Sequence, residues 1–303
     1  MAKSNIITAI DIGTSVMKGL QVQWRNGVPE PEVIAMATEP TEGMRKGVVS
    51  NVNLVAQGIK NLVEKLWQIS QRRPTEIITN IGGSHIFVTS SSGGVAVSRA
   101  DQRISSEDIE RALSAAQAFS LPPNKEVLDF WPQEYIVDQE RGVKEPLGMK
   151  GIRLDVNILA LCAFSPYVKN VSEAVTGAGF SLMDIIPSAL ASARAVLTPR
   201  QKELGCAVLD IGARTTDLAV FEDGELIHVA VFPVGSANIT DDIAIALRID
   251  TDLAERVKLE FGANFVGRVV KSGLKRKGQK KVTKPKKTSK RNKIEIETED
   301  GTV

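Results

Sequence analysis

The chain has 303 residues, 43% of them hydrophobic, with two cysteines that lack metal-ligand spacing. This suits two or more cored subdomains and excludes a disulfide-stapled or zinc-stapled scaffold. The net charge of +2 hides an asymmetry, because Arg268 to Lys293 holds 13 Lys and Arg and no acid, leaving 25 basic and 36 acidic residues elsewhere, a net of −11.

Residues 6–12 form an apolar run that reads as a buried strand. The start, Met1 to Asn5, leads straight into it and lacks the pattern of a signal peptide. Residues 17–24 alternate as a second strand, Asn26-Gly27 marks a turn, and 32–38 is a third strand. Val55, Ile59, Leu62, Val63 and Leu66 fall on one face of a helix over 50–67. Residues 76–81 form another strand, ending at Gly82-Gly83. The rhythm then breaks. Ser105-x-x-Asp108 is a capping signal for a helix running to about Phe119, stopped by Leu121-Pro122-Pro123. Short strands at 134–137 and 152–161 complete a small α+β insert. Ser165 as N-cap, with Pro166 behind it, starts a helix striped by Val168, Val171 and Val175 and ended by Gly177 and Gly179. A strand at 182–185 and a helix at 188–197 follow. Three more strands occupy 206–211, 216–221 and 226–232, with Asp223-Gly224 as the hairpin turn. Helices are predicted at 238–247 and 251–261, and a strand at 293–298. No apolar run approaches the roughly 18 residues of a spanning helix. A soluble, cytoplasmic protein is expected.

The opening is said twice. Ala9-Ile10-Asp11-Ile12-Gly13-Thr14 recurs as Val208-Leu209-Asp210-Ile211-Gly212-Ala213. Each copy ends an apolar run, meets small hydroxylated residues and turns back into a strand. Nucleotide phosphates need close backbone N–H donors, a cation and anchored hydroxyls. Gly13 and Gly212 let the main chain approach without a Cβ in the way. Thr14, Ser15, Thr215 and Thr216 add hydroxyls, and Lys18 and Arg214 add charge. Asp11 and Asp210, facing each other across a cleft, suit Mg²⁺ held through its own waters. Gly235-Ser236-x-Asn238 precedes a helix and either offers N–H groups to the nucleotide or is an ordinary helix start. A single Asp-x-Gly-x is only a turn; two, each inside a three-strand unit, point to two related lobes closing on ATP. His85 and His228 read as structural.

These motifs resemble the phosphate loops of the actin, sugar-kinase and heat-shock-chaperone ATPase superfamily. Three further segments narrow the resemblance: Pro132-Gln133-Glu134-Tyr135-Ile136-Val137-Asp138, Pro146-Leu147-Gly148-Met149-Lys150-Gly151, and Phe232-Pro233-Val234-Gly235 with Asn238-Ile239-Thr240. They are similar to FtsA, the actin-like bacterial cell-division family, over about Ile6 to Gly262. The resemblance implies an α/β, actin-like (ribonuclease H-like) two-lobe fold with an SHS2-type α+β insert in the first lobe. The first lobe would take 1–84 and 164–203, the insert 85–163, the base of the second lobe 204–243, and its incomplete outer subdomain 244–303. In such a fold Glu255 and Lys258, three apart on one helix face, bracket the adenosine ring and ribose, or form a plain surface pair.

The family also implies partners. They are the C-terminal tail of FtsZ, further copies of the chain through 85–163 and lobe contacts, and later division proteins, at the inner face of the cell membrane. Two departures stand out. Family members continue into a third Gly-rich adenosine loop and a C-terminal amphipathic helix, and nothing after Gly262 has an apolar helical face. The basic segment 268–293 is no family hallmark. A truncated chain is expected. The other reading is a short form whose basic segment binds anionic lipid, each Lys or Arg contributing roughly 1 kcal/mol near such a surface. Nothing in it specifies nucleic acid. Hydrolysis needs a group that positions water, and the stretch Pro187-Ser188-Ala189-Leu190-Ala191-Ser192-Ala193-Arg194 offers hydroxyls and an arginine. Slow or no turnover follows. The alternatives are a pilus assembly ATPase of the PilM type and a small-molecule kinase.

Overall fold

The computed structural model describes residues 5–25 and 30–262, together with the backbone of 297–298 and 301–302. The chain divides into two compact units, Met1–Ser236 and Ala237–Val303. The turn at Asn26-Gly27, the basic segment 268–293 and most of the expected strand at 293–298 lie outside the described residues.

In the first unit, Asn5–Ile12, Val16–Trp24 and Glu32–Pro40 pair antiparallel in succession. Asn5–Ile12 also pairs in parallel with Glu76–Ile81, which pairs in parallel with Ser181–Pro187. The order across the sheet is therefore Ser181–Pro187, Glu76–Ile81, Asn5–Ile12, Val16–Trp24, Glu32–Pro40. Parallel neighbours need crossovers. The helix Val52–Ser70 lies within one crossover, and the helix Ser165–Gly177 lies within the other. Val55, Ile59, Leu62 and Val63 of the first helix are buried in the core with Ile10, Met17 and Ile77, and Leu66 on the same face is buried too. Asn51 caps this helix by accepting the Leu54 N–H, and Gln71 ends it in the left-handed region at φ 56.

Ser165 is the first helical residue, not the N-cap; Phe164 holds the cap position with no side-chain bond. The Ser165 N–H already donates to the Asn124 carbonyl at 3.0 Å, so one orphan donor of the helix end is met by a neighbouring loop.

The insert is a separate antiparallel sheet in the order Phe87–Ala96, Arg153–Phe164, Lys125–Val137, Glu140–Val143. The helix Ser106–Gln117 covers it, and Ile104, Ala112, Ala116, Val137, Leu154, Val156 and Ile158 form its own core. The strand Phe87–Ala96 carries Ser-Ser-Ser-Gly-Gly and gives no strand signal. Its small residues serve the helix. A Cβ at Gly93 would stand 2.1 Å from the Ala116 nitrogen, and Ser91 Oγ donates to the Ala116 carbonyl at 2.7 Å.

A third sheet holds Cys206–Ile211, Thr216–Glu222 and Glu225–Phe232. Asp223 and Gly224 have φ of 50° and 85°, the backbone of a tight two-residue hairpin turn. Lys144 Nζ donates to the Asp223 carbonyl and Gln133 Nε2 to the Leu226 carbonyl, so the insert grips this hairpin. The second unit holds most of the helix Ser236–Leu247, the helix Thr251–Phe261 capped by Asp250, and the two-residue strands Glu297–Thr298 and Gly301–Thr302.

Asp108 is the polar keystone of the insert. It is fully buried and accepts from Ser105 N and Oγ, Ser98 N and Oγ, and Arg111. Burial pushes its carboxyl up, but the bonds from Ser105, Arg111 and Ser98 outweigh this and hold it well below the usual carboxylate range. A native value below the unfolded one stabilises the fold fully above about pH 4, and that contribution is lost as pH falls further. Asp108→Ala is expected to lower unfolding free energy by about 2–4 kcal/mol, from a lost cap and stranded donors. Urea unfolding at neutral pH checks it, and the gap to the parent should narrow in acid.

Candidate functional site

The two Asp-x-Gly turns are built alike. In the first hairpin Ile12 pairs with Met17, leaving Gly13-Thr14-Ser15 in the turn region. In the second, Ile211 pairs with Thr216, and Gly212 N–H donates back to the Thr215 carbonyl at 2.9 Å. Both turns face one polar cleft of about 190 Å³. Its lining includes Asp11, Gly13, Thr14, Ser15 and Lys18 from the first motif, and Asp210, Gly212 and Thr215 from the second. A second, mostly apolar cavity of about 300 Å³ shares Asp11, Asn80, Ser188 and Asp210 with it.

Asn80 ties the parts together. Its Oδ1 accepts the Ile12 N–H at 2.7 Å, while its Nδ2 donates to Asp11 Oδ1 at 2.7 Å and to Ser188 Oγ at 3.0 Å. The helix Ser188–Val196 then reaches the other motif, because Ser192 Oγ donates to Asp210 Oδ2. Sequence reasoning missed Asn80; the signal was a lone amide in the apolar run Ile77-Ile78-Thr79-Asn80-Ile81, just before Gly82-Gly83.

Gly47 was missed as well. It sits at φ 79°, donates its N–H to Thr14 Oγ1, and a Cβ there would come 2.8 Å from Gly83 N and 3.0 Å from Thr215 Cγ2. Main chain from one loop thus passes close to both motifs. Gly235 has the same kind of role. A Cβ on it would lie 2.5 Å from the Gly212 carbonyl oxygen, and Ser236 N–H donates to that oxygen at 2.8 Å.

The other expected residues are placed as follows. Lys18 is ion-paired to Asp11 Oδ2 at 3.2 Å, with both side chains largely exposed, so the pair itself contributes little. Thr216 Oγ1 donates to the Val234 carbonyl, and neither it nor Arg214 lines the cleft. Asn238, Glu255 and Lys258 belong to the second unit. There Lys258 Nζ bonds Glu255 at 2.6 Å and donates to Thr240 Oγ1 at 2.9 Å, and Thr240 donates to Glu255. His85 is structural, as expected. Its Nε2–H donates to the Gly82 carbonyl, its Nδ1 accepts the Phe164 N–H, and burial lowers its basicity.

The cleft holds a third carboxylate that the sequence reading passed over. Asp217 stands directly across the strand pair from Asp210. It is 6% exposed, and its Oδ1 has no hydrogen-bond partner among the described residues. Burial first, then the charges of Asp210 and Asp11, push its carboxyl up to about 6, against a hydrogen bond from the Thr215 side chain. Backbone N–H groups at both turns, hydroxyls, one lysine and three carboxylates make an arrangement suited to a polyphosphate escorted by a divalent cation.

Known proteins match this layout. A family profile described as "SHS2 domain inserted in FTSA" matches residues 83–162, and one described as "Cell division protein FtsA" matches 207–297. The cell division protein FtsA of Pseudomonas aeruginosa is 38% identical over 256 residues, 84% of this chain and 61% of that protein. That of Bacillus subtilis is 32% identical over 262 residues, 86% of this chain and 59% of its own length. The chain thus spans about three fifths of these relatives. Among solved structures, a PilM–PilN type IV pilus biogenesis complex superposes with a TM-score of 0.61 at 22% identity, covering 86% of this chain and 71% of that one. The ethanolamine utilization protein EutJ of Carboxydothermus hydrogenoformans does so at 0.50 and 18%, over 88% and 66%. The expected fold, actin-like with an SHS2 insert, holds.

Asp217 makes stability depend on pH. Its native value of about 6 lies above the unfolded value of about 3.9, so it favours the fold when protonated. That contribution is full below about pH 4 and is lost as pH rises through about 6. Asp217→Asn carries no charge at any pH. It is expected to be more stable than the parent by about 1–3 kcal/mol at pH 8, with the gap closing near pH 4. Thermal melts in metal-free buffer across that range check it.

Proposed function

We propose that this chain, which belongs to the FtsA family of cell-division proteins, is a nucleotide-gated scaffold of bacterial division. One observation carries the nucleotide half of this reading: both Asp-x-Gly turns line a single polar cleft. ATP phosphates would approach the main chain of the turns that Gly13 and Gly212 open, and the hydroxyls of Thr14, Ser15 and Thr215. Lys18 would neutralise part of their charge. Asp11 and Asp210 would hold Mg²⁺ through its waters, and the ion would offset the remaining phosphate charge.

Binding and gating are proposed in preference to turnover. The helix Ser188–Val196 brings Ser188 to the cleft and Ser192 to the adjoining cavity beside Asp210, and both hydroxyls are engaged, by Asn80 and Ile81 and by Asp210. They have little freedom to orient an attacking water. Family membership supports the division half. The proposed partners are the FtsZ C-terminal tail, later division proteins and further copies of the chain through the insert. Its proposed place is the inner face of the membrane, with residues 268–293 contacting anionic lipid.

Titration calorimetry with Mg-ATP tests the nucleotide half. Thr14→Val keeps the side-chain shape but removes both a donor and the acceptor of the Gly47 N–H, and is expected to weaken binding on the order of tenfold. No ATP binding by the unsubstituted chain would defeat the reading, and sustained phosphate release abolished by Asp210→Ala would defeat the gating part. For the membrane contact, co-sedimentation with vesicles rich in anionic lipid is expected to drop when the lysines and arginines of 268–293 are replaced by glutamine. An unchanged yield would exclude that segment.

A further inference from the structure

The chain enters the insert through Gly82 to Ile86 and leaves it at Phe164, where the strand Arg153–Phe164 meets the helix Ser165–Gly177. One imidazole joins the two crossings. His85 Nε2 bonds the Gly82 carbonyl at 2.9 Å, and the Phe164 N–H reaches His85 Nδ1 at 3.3 Å. A carbonyl can only accept and a peptide N–H can only donate, so the two bonds together fix a neutral ring with its proton on Nε2. The ring also packs on Tyr167 of the following helix, 4.8 Å between centroids, and Tyr167 packs on Phe164 at 5.3 Å.

The other end of this clamp is the polar cleft, which Gly82 lines. A Cβ at Gly83 would come 3.1 Å from His85 Cδ2, and one at Gly47 would come 2.8 Å from Gly83 N. The Gly47 N–H in turn donates to Thr14 Oγ1. Close contacts thus run from the first Asp-x-Gly turn through Gly47, Gly83 and the ring to the exit of the insert. Packing this tight passes a displacement on instead of absorbing it.

We propose that His85 is a positioning residue that couples the cleft to the insert: its ring follows the main chain at Gly82 and carries that movement to Phe164, setting the insert's orientation on the first lobe. Coupling of this kind needs an element with two discrete arrangements. Here they are a ring that holds both crossings and a ring that holds one. Protonation also switches them, because it turns Nδ1 into a donor facing the Phe164 N–H. Burial keeps the ring's basicity below the ordinary imidazole value, against the Gly82 bond, and neighbouring charges play no part. Tyr167 is the titratable group in contact with the ring. The clamp is therefore closed at neutral pH and is lost as pH falls through a midpoint below about 6.5. The response to nucleotide rests on the nucleotide-scaffold reading; the clamp itself does not.

Spin labels on Lys60→Cys and Glu107→Cys, exposed positions of the helices Val52–Ser70 and Ser106–Gln117, report that orientation in the full chain carrying Cys206→Ser. Cys162 is fully buried and stays unlabelled. His85→Asn offers an amide oxygen near the Nδ1 position and drops the Gly82 bond, whereas His85→Gln offers an amide N–H near the Nε2 position and drops the Phe164 bond. Neither titrates, and circular dichroism verifies the fold of each. The parent is expected to show one narrow inter-label distance at neutral pH. It should widen at the same midpoint at which nuclear magnetic resonance sees the His85 ring protonate, an assignment made simple by there being two histidines in the chain. Both variants should be wide at every pH. Mg-ATP should shift the parent's distance and leave both variants unmoved, while calorimetry finds that all three bind it alike. Variants as narrow as the parent overturn the inference, as does parental widening away from the ring's own midpoint. If ATP binds but moves the labels in none of the three, or equally in all, the coupling falls and the nucleotide reading stands. If ATP does not bind the parent while the variants and the pH course behave as expected, the clamp stands and the nucleotide reading falls.

Discussion

Hairpin register is the constraint on which the rest of this structure depends. Pairing Ile12 with Met17 and Ile211 with Thr216 decides which side chains meet across each turn. A slip of one residue would turn every side chain to the opposite face of its strand. Ile10, Ile12 and Met17 would leave the core, and Asp11 would leave the cleft. The same register sets Lys18 against Asp11 and Asp217 against Asp210. Core packing and site electrostatics are thus two results of one pairing choice.

Around that register the fold adds a polar brace. Asn80, on a parallel neighbour strand, holds the backbone of the first motif and the side chain of its aspartate. The same amide meets Ser188, at the start of the helix whose Ser192 reaches Asp210. This connects both motifs through short, directional bonds. Buried polar networks of this kind rigidify when their members are satisfied. Asp217 Oδ1 is the exception, buried in the cleft with no hydrogen-bond partner among the described residues.

The insert shows how a strand can hide from pattern reading. Phe87–Ala96 carries serines and glycines where a half-buried strand would carry Val or Ile. Those residues are small because the helix Ser106–Gln117 crosses at backbone distance over Gly93. Where that closeness was absent, the pattern was plain: the capping box at Ser105 and Asp108 starts its helix as expected. Ser165 misled for a related reason: it enters the helix as the first residue, and a loop carbonyl from Asn124 accepts its own N–H.

By itself the sequence determined the elements that repeat or obey a period. The doubled Asp-x-Gly, the stripe from Val55 to Leu66 and the Asp223-Gly224 turn follow from local spacing and backbone sterics alone. It also announced Gly13, Thr14, Ser15, Gly212 and Thr215 of the cleft, because glycine and small hydroxylated residues mark a tight turn. Tertiary structure decided what depends on distant residues meeting. Asn80 joins Asp11 and Ser188 across 69 and 108 positions, and Gly47 matters only because Gly83 and Thr215 come within contact of it. Asp217 is the sharpest case. In the sequence it is one more polar residue after a turn, but strand pairing sets it against Asp210 and burial removes its water, and only together do these make a charge that needs a partner.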